Sequence, residues 1–408
     1  MKQQIYVTGL GIVSGIGNNT AETVASIRSL QSGIGNIQHL NTQHAEIPCS
    51  EVKLSEEQLK ILLKISPEEV ITRTSLLGMV AAKEAFAQAH LSDFRHYKGL
   101  RLGFLNGTTV GGMEKSEQYY PYFTDPESNL FSDYIEAHDC GACTEKIADY
   151  LGQFDYVATT STACSSAVNT LILAVNLLQS GFLDCVIAGG TECLSKFHLN
   201  GFNTLMILDP QHCKPFDKNR AGLNLGEGAA YLVIENEKSR SLRNSKPLCT
   251  IAGWGNSCDA FHQTASSPDG KGAVLSMSQA LQMSGLQPSD IDYINAHGTG
   301  TGNNDESEGT AVMTIFGDHI PPISSTKSFT GHTTSAAGGV ESVISILAMK
   351  NHFLPPNLNF AQPIEKLSFK PIENLVENVV LKHVLNNSFG FGGNNSSIIF
   401  SDIETSHT

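Results

Sequence analysis

From Val168 to Leu178 apolar side chains cover nearly the whole circumference of a helix: Val168, Leu171, Ile172, Ala174, Val175 and Leu178 recur at helical spacing, leaving little beyond Asn169 and Asn176 polar. A helix that is apolar all round is buried. Ser161, Thr162, Ser165 and Ser166 before it are capping types, so the pattern predicts a turn out of "FDYVATT" into a core helix, with Cys164 at or near its amino end. A thiol there feels the positive end of the helix dipole and unpaired backbone N–H groups, both of which favour the thiolate. A free cysteine also packs as a small hydrophobe, and on this stretch alone that is the simpler reading.

Elsewhere helical patterns such as "PEEVITRTSLLGMVAAKEAFAQA" from Pro67 and "GAVLSMSQALQMSG" from Gly272 alternate with strand-like "DCVIAGG" from Asp184 and "DYINAHG" from Asp292, which predicts a layered α/β architecture. The order of segments repeats. "YVTGLGIVS" from Tyr6 has a counterpart in "CTIAGWGNS" from Cys249. The segment "ATTSTACSSAVNTLILAVNLL" is echoed by "SSTKSFTGHTTSAAGGVESVISILAM", and "AGLNLGEGAAYLVIENE" by "NSFGFGGNNSSIIFSDIE". Two similar halves, 1–245 and 246–408, joined at the charged stretch 237–246, are the economical interpretation. Sites in such sheets lie at the strand ends where the halves meet.

Composition narrows the function. The chain has 408 residues, 40% of them hydrophobic, and 37 glycines, as expected of a turn-rich globular protein with a sizeable core. Its formal net charge of -14 argues against a nucleic-acid partner and against an anionic membrane surface. An acidic partner would need a local basic patch. The amino terminus enters a strand without a leader pattern and no apolar run reaches membrane-spanning length, so a cytoplasmic protein is expected. Nine cysteines, an odd number, form no disulfide framework, and the C-x-x-C at Cys140 and Cys143 has no second pair to complete a zinc site. "GLGIVSG" from Gly9 misses the dinucleotide spacing by one residue and is read as a tight strand-to-loop turn.

Two histidines then join Cys164. His297 follows the strand "DYINA" and precedes "GTGTG"; His332 lies in "KSFTGHTTSAAGG", in the turn before the helix that echoes the Cys164 helix, and Lys327 is in the same loop. Singly, each is most simply a satisfied polar residue. One cysteine and two histidines at related turns of a duplicated protein point to a shared site.

"TACSSA", "NAHGTGT", "SSTKSFTGHTTSAAGG" and "NSFGFGGNN", in that order and over essentially the whole chain, resemble the elongating β-ketoacyl-[acyl-carrier-protein] synthases of the thiolase superfamily. "CKPFDKNRAGLNLGEGAAYLV" from Cys213 is similar to a further segment of that family. The resemblance implies the thiolase fold, duplicated halves in α/β/α/β/α layers, and a homodimer or a heterodimer with a related subunit. It implies a decarboxylating Claisen condensation of an enzyme-bound acyl group with malonyl-[acyl-carrier-protein], in fatty acid or polyene/polyketide biosynthesis, with acyl carrier protein and acyl and malonyl thioesters as partners. Cys164 would accept the acyl group, His297 and His332 would stabilise the enolate, and Lys327 would orient His332, acting through Glu308. Backbone N–H groups of Cys164 and Phe391 would receive the oxyanion. Thr299 and Thr301 match positions that bond the phosphopantetheine arm, and Phe389 and Phe391 an aromatic gate. Asn295, Glu308 and Ser388 match residues near a monovalent-cation site, for which Na+ or K+ is an option; no redox or organic cofactor is suggested.

The chain departs from that family where carriers dock. Its segment "KISPEEVITRTSLL" carries Glu68 and Glu69 and few bases beyond Lys60, Lys64 and Arg73. Two other readings are weaker. A thiolase carries a second cysteine in the glycine-rich loop near the carboxyl end, whereas the last cysteine here is Cys258. A non-catalytic accessory subunit would lack the cysteine or a histidine, and all three are present.

Overall fold

The computed structural model describes residues 3–123 and 132–403. Ten strands form the main sheet: β1 (Ile5–Ser14), β2 (Leu102–Gly107), β3 (Tyr156–Thr160), β4 (Cys185–Glu192), β5 (Gly228–Asn236), β6 (Cys249–Cys258), β7 (Tyr293–Asn295), β8 (Ile323–Ser324), β9 (His383–Gly390) and β10 (Asn394–Ser401). Their order is β8-β7-β9-β10-β6-β1-β5-β4-β2-β3. Outward from β1 the order is β1-β5-β4-β2-β3, and outward from β6 it is β6-β10-β9-β7-β8, the same permutation of five strands. The two innermost pairings are antiparallel and the two outermost parallel in both halves. The duplication read from the sequence is therefore a duplication of topology. The halves meet at Tyr6↔Thr250 and Val7↔Cys249, where β1 and β6 pair antiparallel.

Seven helices build the layers and the site: α1 (Arg73–Gln88), α2 (Cys140–Leu151), α3 (Ser166–Gln179), α4 (Lys196–Thr204), α5 (Lys271–Ser284), α6 (Gly302–Phe316) and α7 (Ala337–Asn351). Helices α1 and α2 cover the outer face of the first half and α5, backed by α6, that of the second, while α3 and α7 pack together between the two halves of the sheet. That central position explains their largely apolar patterns. Val168, Leu171, Val175, Val340, Val343 and Ile344 share one buried cluster.

Two expectations are corrected here. The helical pattern from Pro67 becomes helix only at Arg73, where the Thr72 hydroxyl caps the Ser75 N–H. "GLGIVSG" is no turn, because Gly9 and Gly11 lie inside β1 and α1 crosses directly over them. A Cβ on Gly11 would come within 1.9 Å of the Ala81 carbonyl oxygen. In β6, Gly253 and Gly255 meet α5 in the same way, with a Cβ on each 2.1 Å from the carbonyl oxygens of Ala280 and Ser276 respectively. Each half thus uses a G-x-G pair to let a helix lie flat on its first strand.

All nine cysteines are free. Among the described residues no three His, Cys, Asp or Glu side chains converge as a metal site, and no helix is long and apolar enough to cross a membrane.

Candidate active site

Cys164 sits on the turn between β3 and α3, two residues before the first helical residue. Ala163 adopts φ +51°, a left-handed conformation that a residue with a Cβ holds only when its surroundings enforce it. The hydroxyls around it supply that force. Ser165 Oγ donates to the Thr162 carbonyl at 2.7 Å, Ser166 Oγ donates to the Ala163 carbonyl at 2.6 Å and accepts from the Thr162 N–H at 2.8 Å. They grip the turn rather than cap the helix, which has no side-chain cap. From the other half, Ser388 Oγ donates to the Cys164 carbonyl at 3.0 Å, and Gly390 lies so close that a Cβ there would be 3.1 Å from the Cys164 nitrogen.

The second half also supplies both histidines. His332 is pinned by its backbone to the strip before β5, donating its N–H to the Asn224 carbonyl at 2.7 Å and accepting from the Gly226 N–H at 2.9 Å. This brings His332 Nε2 to 3.1 Å from Cys164 Sγ. His297, at the exit of β7, stands edge-on to His332 with ring centroids 5.3 Å apart and planes at 83°. Glu308 on α6 accepts the N–H groups of His297 at 2.9 Å and Gly298 at 2.8 Å, so the carboxylate fixes the histidine's main chain.

Lys327 overturns the expected arrangement. Its Nζ contacts Nδ1 of His297 at 3.2 Å and donates to the His297 carbonyl at 2.6 Å, and its ion-pair partner is Glu341 on α7. It serves His297 rather than His332, and Glu341 rather than Glu308 balances its charge. Helix α7 runs over the ends of β7 and β9, which puts Glu341 above this cluster. Glu341 escaped the motif reading, although an acid within the apolar run of α7 is the signal of a buried partner.

The electrostatics correct a second expectation. Burial pushes the Cys164 thiol up to about 11, against the pull of the Lys327 charge and of the Phe391 and Cys164 N–H groups. The helix terminus does not outweigh the loss of water. Burial, aided by the Lys327 charge, drives both His297 and His332 well below the ordinary imidazole value, so both rings are neutral. Burial raises Glu308 to about 7, opposed by the two backbone N–H groups it accepts.

Cys164, His297, His332, Thr299, Phe389 and Phe391 line one cavity of about 140 Å³. Thr301 also faces it and caps α6 by accepting from the Asn304 N–H, and its hydroxyl bonds that of Thr299 at 2.9 Å. Phe389 lies against His297, centroids 5.9 Å apart, and Phe391 stacks on Phe202 at 5.6 Å. A third buried histidine, His198 on α4, stands near enough to His332 to shift its titration and gave no sign in the sequence. Asn295 lies deeper, donating to the Glu341 carbonyl at 3.3 Å and to Ser345 Oγ at 3.2 Å. The docking segment differs from expectation as well: Arg73 is buried in a bidentate pair with Glu227, and Lys60 is tied to the carbonyls of Pro67 and Glu69. Of those bases Lys64 is the exposed one.

Comparison with known proteins accords with this geometry. Residues 2–240 match the beta-ketoacyl synthase N-terminal domain and residues 248–361 the beta-ketoacyl synthase C-terminal domain. The chain is 30% identical to the 3-oxoacyl-[acyl-carrier-protein] synthase 2 of Staphylococcus aureus (strain COL), covering 98% of this chain and 99% of that one. It is 32% identical to nodulation protein E of Rhizobium meliloti (strain 1021), covering 99% and 100%. Among solved structures it is similar to the ishigamide ketosynthase/chain length factor, with a TM-score of 0.90 and 29% identity over 98% of this chain and 100% of that one. With both halves of the duplicated fold matched and relatives aligned from end to end, the chain belongs to the β-ketoacyl synthase family.

Proposed function

We propose that Cys164, His297 and His332 carry out a decarboxylating condensation between an acyl group held on Cys164 and malonyl-[acyl-carrier-protein]. The observation that carries this reading is the single buried cluster in which His332 Nε2 lies 3.1 Å from Cys164 Sγ and His297 stands edge-on beside it. In the first step the Cys164 sulfur attacks the acyl thioester carbonyl. The thiol proton passes to His332 Nε2 and on to the departing carrier thiolate, since a thiol raised to about 11 needs a base at hand. The N–H groups of Cys164 and Phe391, which already face the sulfur, receive the oxyanion.

In the second step the malonyl group loses carbon dioxide, and the electron pair of the broken C–C bond becomes an enolate at the thioester carbonyl. Neutral imidazoles donate N–H bonds to that oxygen without protonating the carbon that must react. The Lys327 ammonium has no acceptor capacity, so His297 Nδ1 accepts from it and the ring proton sits on Nε2. The enolate carbon then attacks the acyl carbonyl on Cys164, the new C–C bond forms, and the sulfur leaves. Thr299 and Thr301 offer hydroxyls along the cavity to the arm of the carrier.

A monovalent cation fits in part. Asn295 Oδ1 is buried without a partner, whereas both Glu308 oxygens accept backbone N–H groups and the Ser388 hydroxyl is committed to the Cys164 carbonyl. Asn295 Oδ1, with the remaining lone pairs of Glu308, would hold Na+ or K+, and the ion would supply fixed positive charge there. The partner is an acyl carrier protein, together with a second ketosynthase-type subunit. A heterodimer draws support from the ketosynthase/chain length factor similarity, a homodimer from the synthase 2 similarity. Nine unpaired thiols suit a reducing cytoplasm.

The test is to incubate the purified chain with acyl- and malonyl-carrier proteins of varied acyl length and to analyse the products by intact mass, alone and with a co-purifying homologue. A β-ketoacyl-carrier product two carbons longer than the donor is expected. Hydrolysis or decarboxylation without carbon–carbon bond formation under both conditions would refute the reading.

A further inference from the structure

His198 is buried and polar in a place where an apolar side chain would fill the same space at no desolvation cost. Its helix is anchored at the amino end from two sides: Ser195 Oγ accepts the His198 N–H at 3.1 Å, and Glu117 accepts the N–H groups of Lys196 at 2.7 Å and Phe197 at 2.9 Å. One turn on, at i+4, Phe202 shares its face. The His198 ring meets Phe202 edge-on, centroids 6.3 Å apart and planes at 75°. Phe202 in turn stacks on Phe391, 5.6 Å apart and 19° from parallel.

The two ends of this row differ in character. Behind His198, Burial lowers the ring's titration while the Glu192 charge and the Cys193 backbone pull the other way. Glu192 itself is fixed, accepting from Thr108 Oγ1 at 2.8 Å, the Thr109 N–H at 2.9 Å and Ser335 Oγ at 2.6 Å. At the other end Phe391 belongs to Gly390–Gly393, in which Gly392 and Gly393 sit at φ +80° and +78°, a backbone that glycine leaves and re-enters cheaply. A fixed ring thus backs an aromatic side chain on a compliant loop.

We propose that His198 is a positioning residue that holds Phe202 against Phe391 and so sets how readily Phe391 is displaced when an acyl group enters. The inference rests on the reading of Phe391 as the aromatic side chain that closes the cavity over Cys164. Losing one ring of the row weakens the stack that acyl entry must break. Acylation should accelerate by about two- to tenfold, the range into which aromatic pair energies convert, while decarboxylation of malonyl-carrier protein stays unchanged.

The experiment is a double-mutant cycle with His198→Ala, Phe391→Ala and the double variant, measuring the acylation rate of Cys164 and the malonyl decarboxylation rate separately. The inference expects His198→Ala to change acylation alone, and expects that change to vanish in the Phe391→Ala background. His198→Phe, which restores a ring, should return acylation towards the starting value. If His198→Ala does not fold, His198→Gln removes the ring at similar volume and carries the same comparison. An effect of equal size in both backgrounds, or equal loss of both reactions, overturns the inference while leaving the gate reading intact. Acylation unaltered by Phe391→Ala alone overturns the gate reading and the inference with it.

Discussion

Lys327 Nζ lies 3.2 Å from His297 Nδ1 and 2.6 Å from the carbonyl oxygen of the same residue, so one ammonium holds both the ring and the main chain of this histidine. Its charge is balanced by Glu341, itself buried in α7. Lys327 thus links the turn before α7 to the end of β7, the two elements that carry His332 and His297.

Breaking this pair should cost stability as well as activity. Glu341→Gln leaves a buried ammonium without its counter-charge, and such losses run to about 3–5 kcal/mol. Urea denaturation should show a fall of that size for Glu341→Gln. Lys327→Ala should lose decarboxylation, because His297 no longer has its proton fixed on Nε2. A Glu341→Gln midpoint equal to wild type would show that the charge is balanced elsewhere.

The histidines give the site a defined response to acid. Their folded pKa values lie well below the unfolded value of about 6.5. The stability they contribute is therefore complete above about pH 6.5 and is lost as the pH falls below it, when the unfolded chain takes up protons that the folded chain refuses. On acidification from pH 8 to 5.5 wild type should lose more stability than His332→Gln. The imidazole resonances of His297 and His332 should not titrate down through pH 6.5, whereas the carboxyls of Glu308 and Glu341, both raised to about 7 by burial, do. An imidazole that titrates at or above 6.5 would contradict neutral, buried rings.

The two histidines should separate by step. Of the two, His332 is the one that touches the sulfur, so His332→Ala should slow acyl transfer by about 10²-fold or more, the usual scale for loss of a positioned base. His297→Ala should keep acyl transfer and lose decarboxylation. Rapid-quench measurement of each half-reaction distinguishes them, and equal losses in both variants would contradict the geometry.

Much of this was legible in the sequence for a definable reason. Elements whose pattern follows from burial were readable: α3 and α7 are largely apolar because they lie between the two halves of the sheet, and the strand order repeats because the segments repeat. Cys164, His297 and His332 were readable because each sits at the exit of a strand or the entrance of a helix. Partnership across the fold was not. Lys327 lies closer in sequence to His332 than to His297, yet the turn carries its side chain back towards β7, and nothing local encodes that. Arg73 appears as a surface base beside Glu68 and Glu69, but it is the first residue of α1 and its side chain turns inward to Glu227. The thiol pKa was misread because proximity to a helix terminus is visible in a sequence while the exclusion of water is not.

Glu68 and Glu69 are exposed, and with Arg73 buried the segment around them is acidic. Glu68→Lys with Glu69→Lys should lower the KM for an acidic carrier protein at low salt, and the difference from wild type should close as salt screens it. A KM unmoved at every ionic strength would place docking elsewhere on the chain.

The central claim is that Cys164 carries the acyl group, and peptide mapping after incubation with acyl-carrier protein tests it most directly. The predicted result is an added acyl mass on the peptide containing Cys164, absent from Cys164→Ala under the same conditions. An acyl adduct on any of the other eight cysteines, or one that persists in Cys164→Ala, would contradict the account.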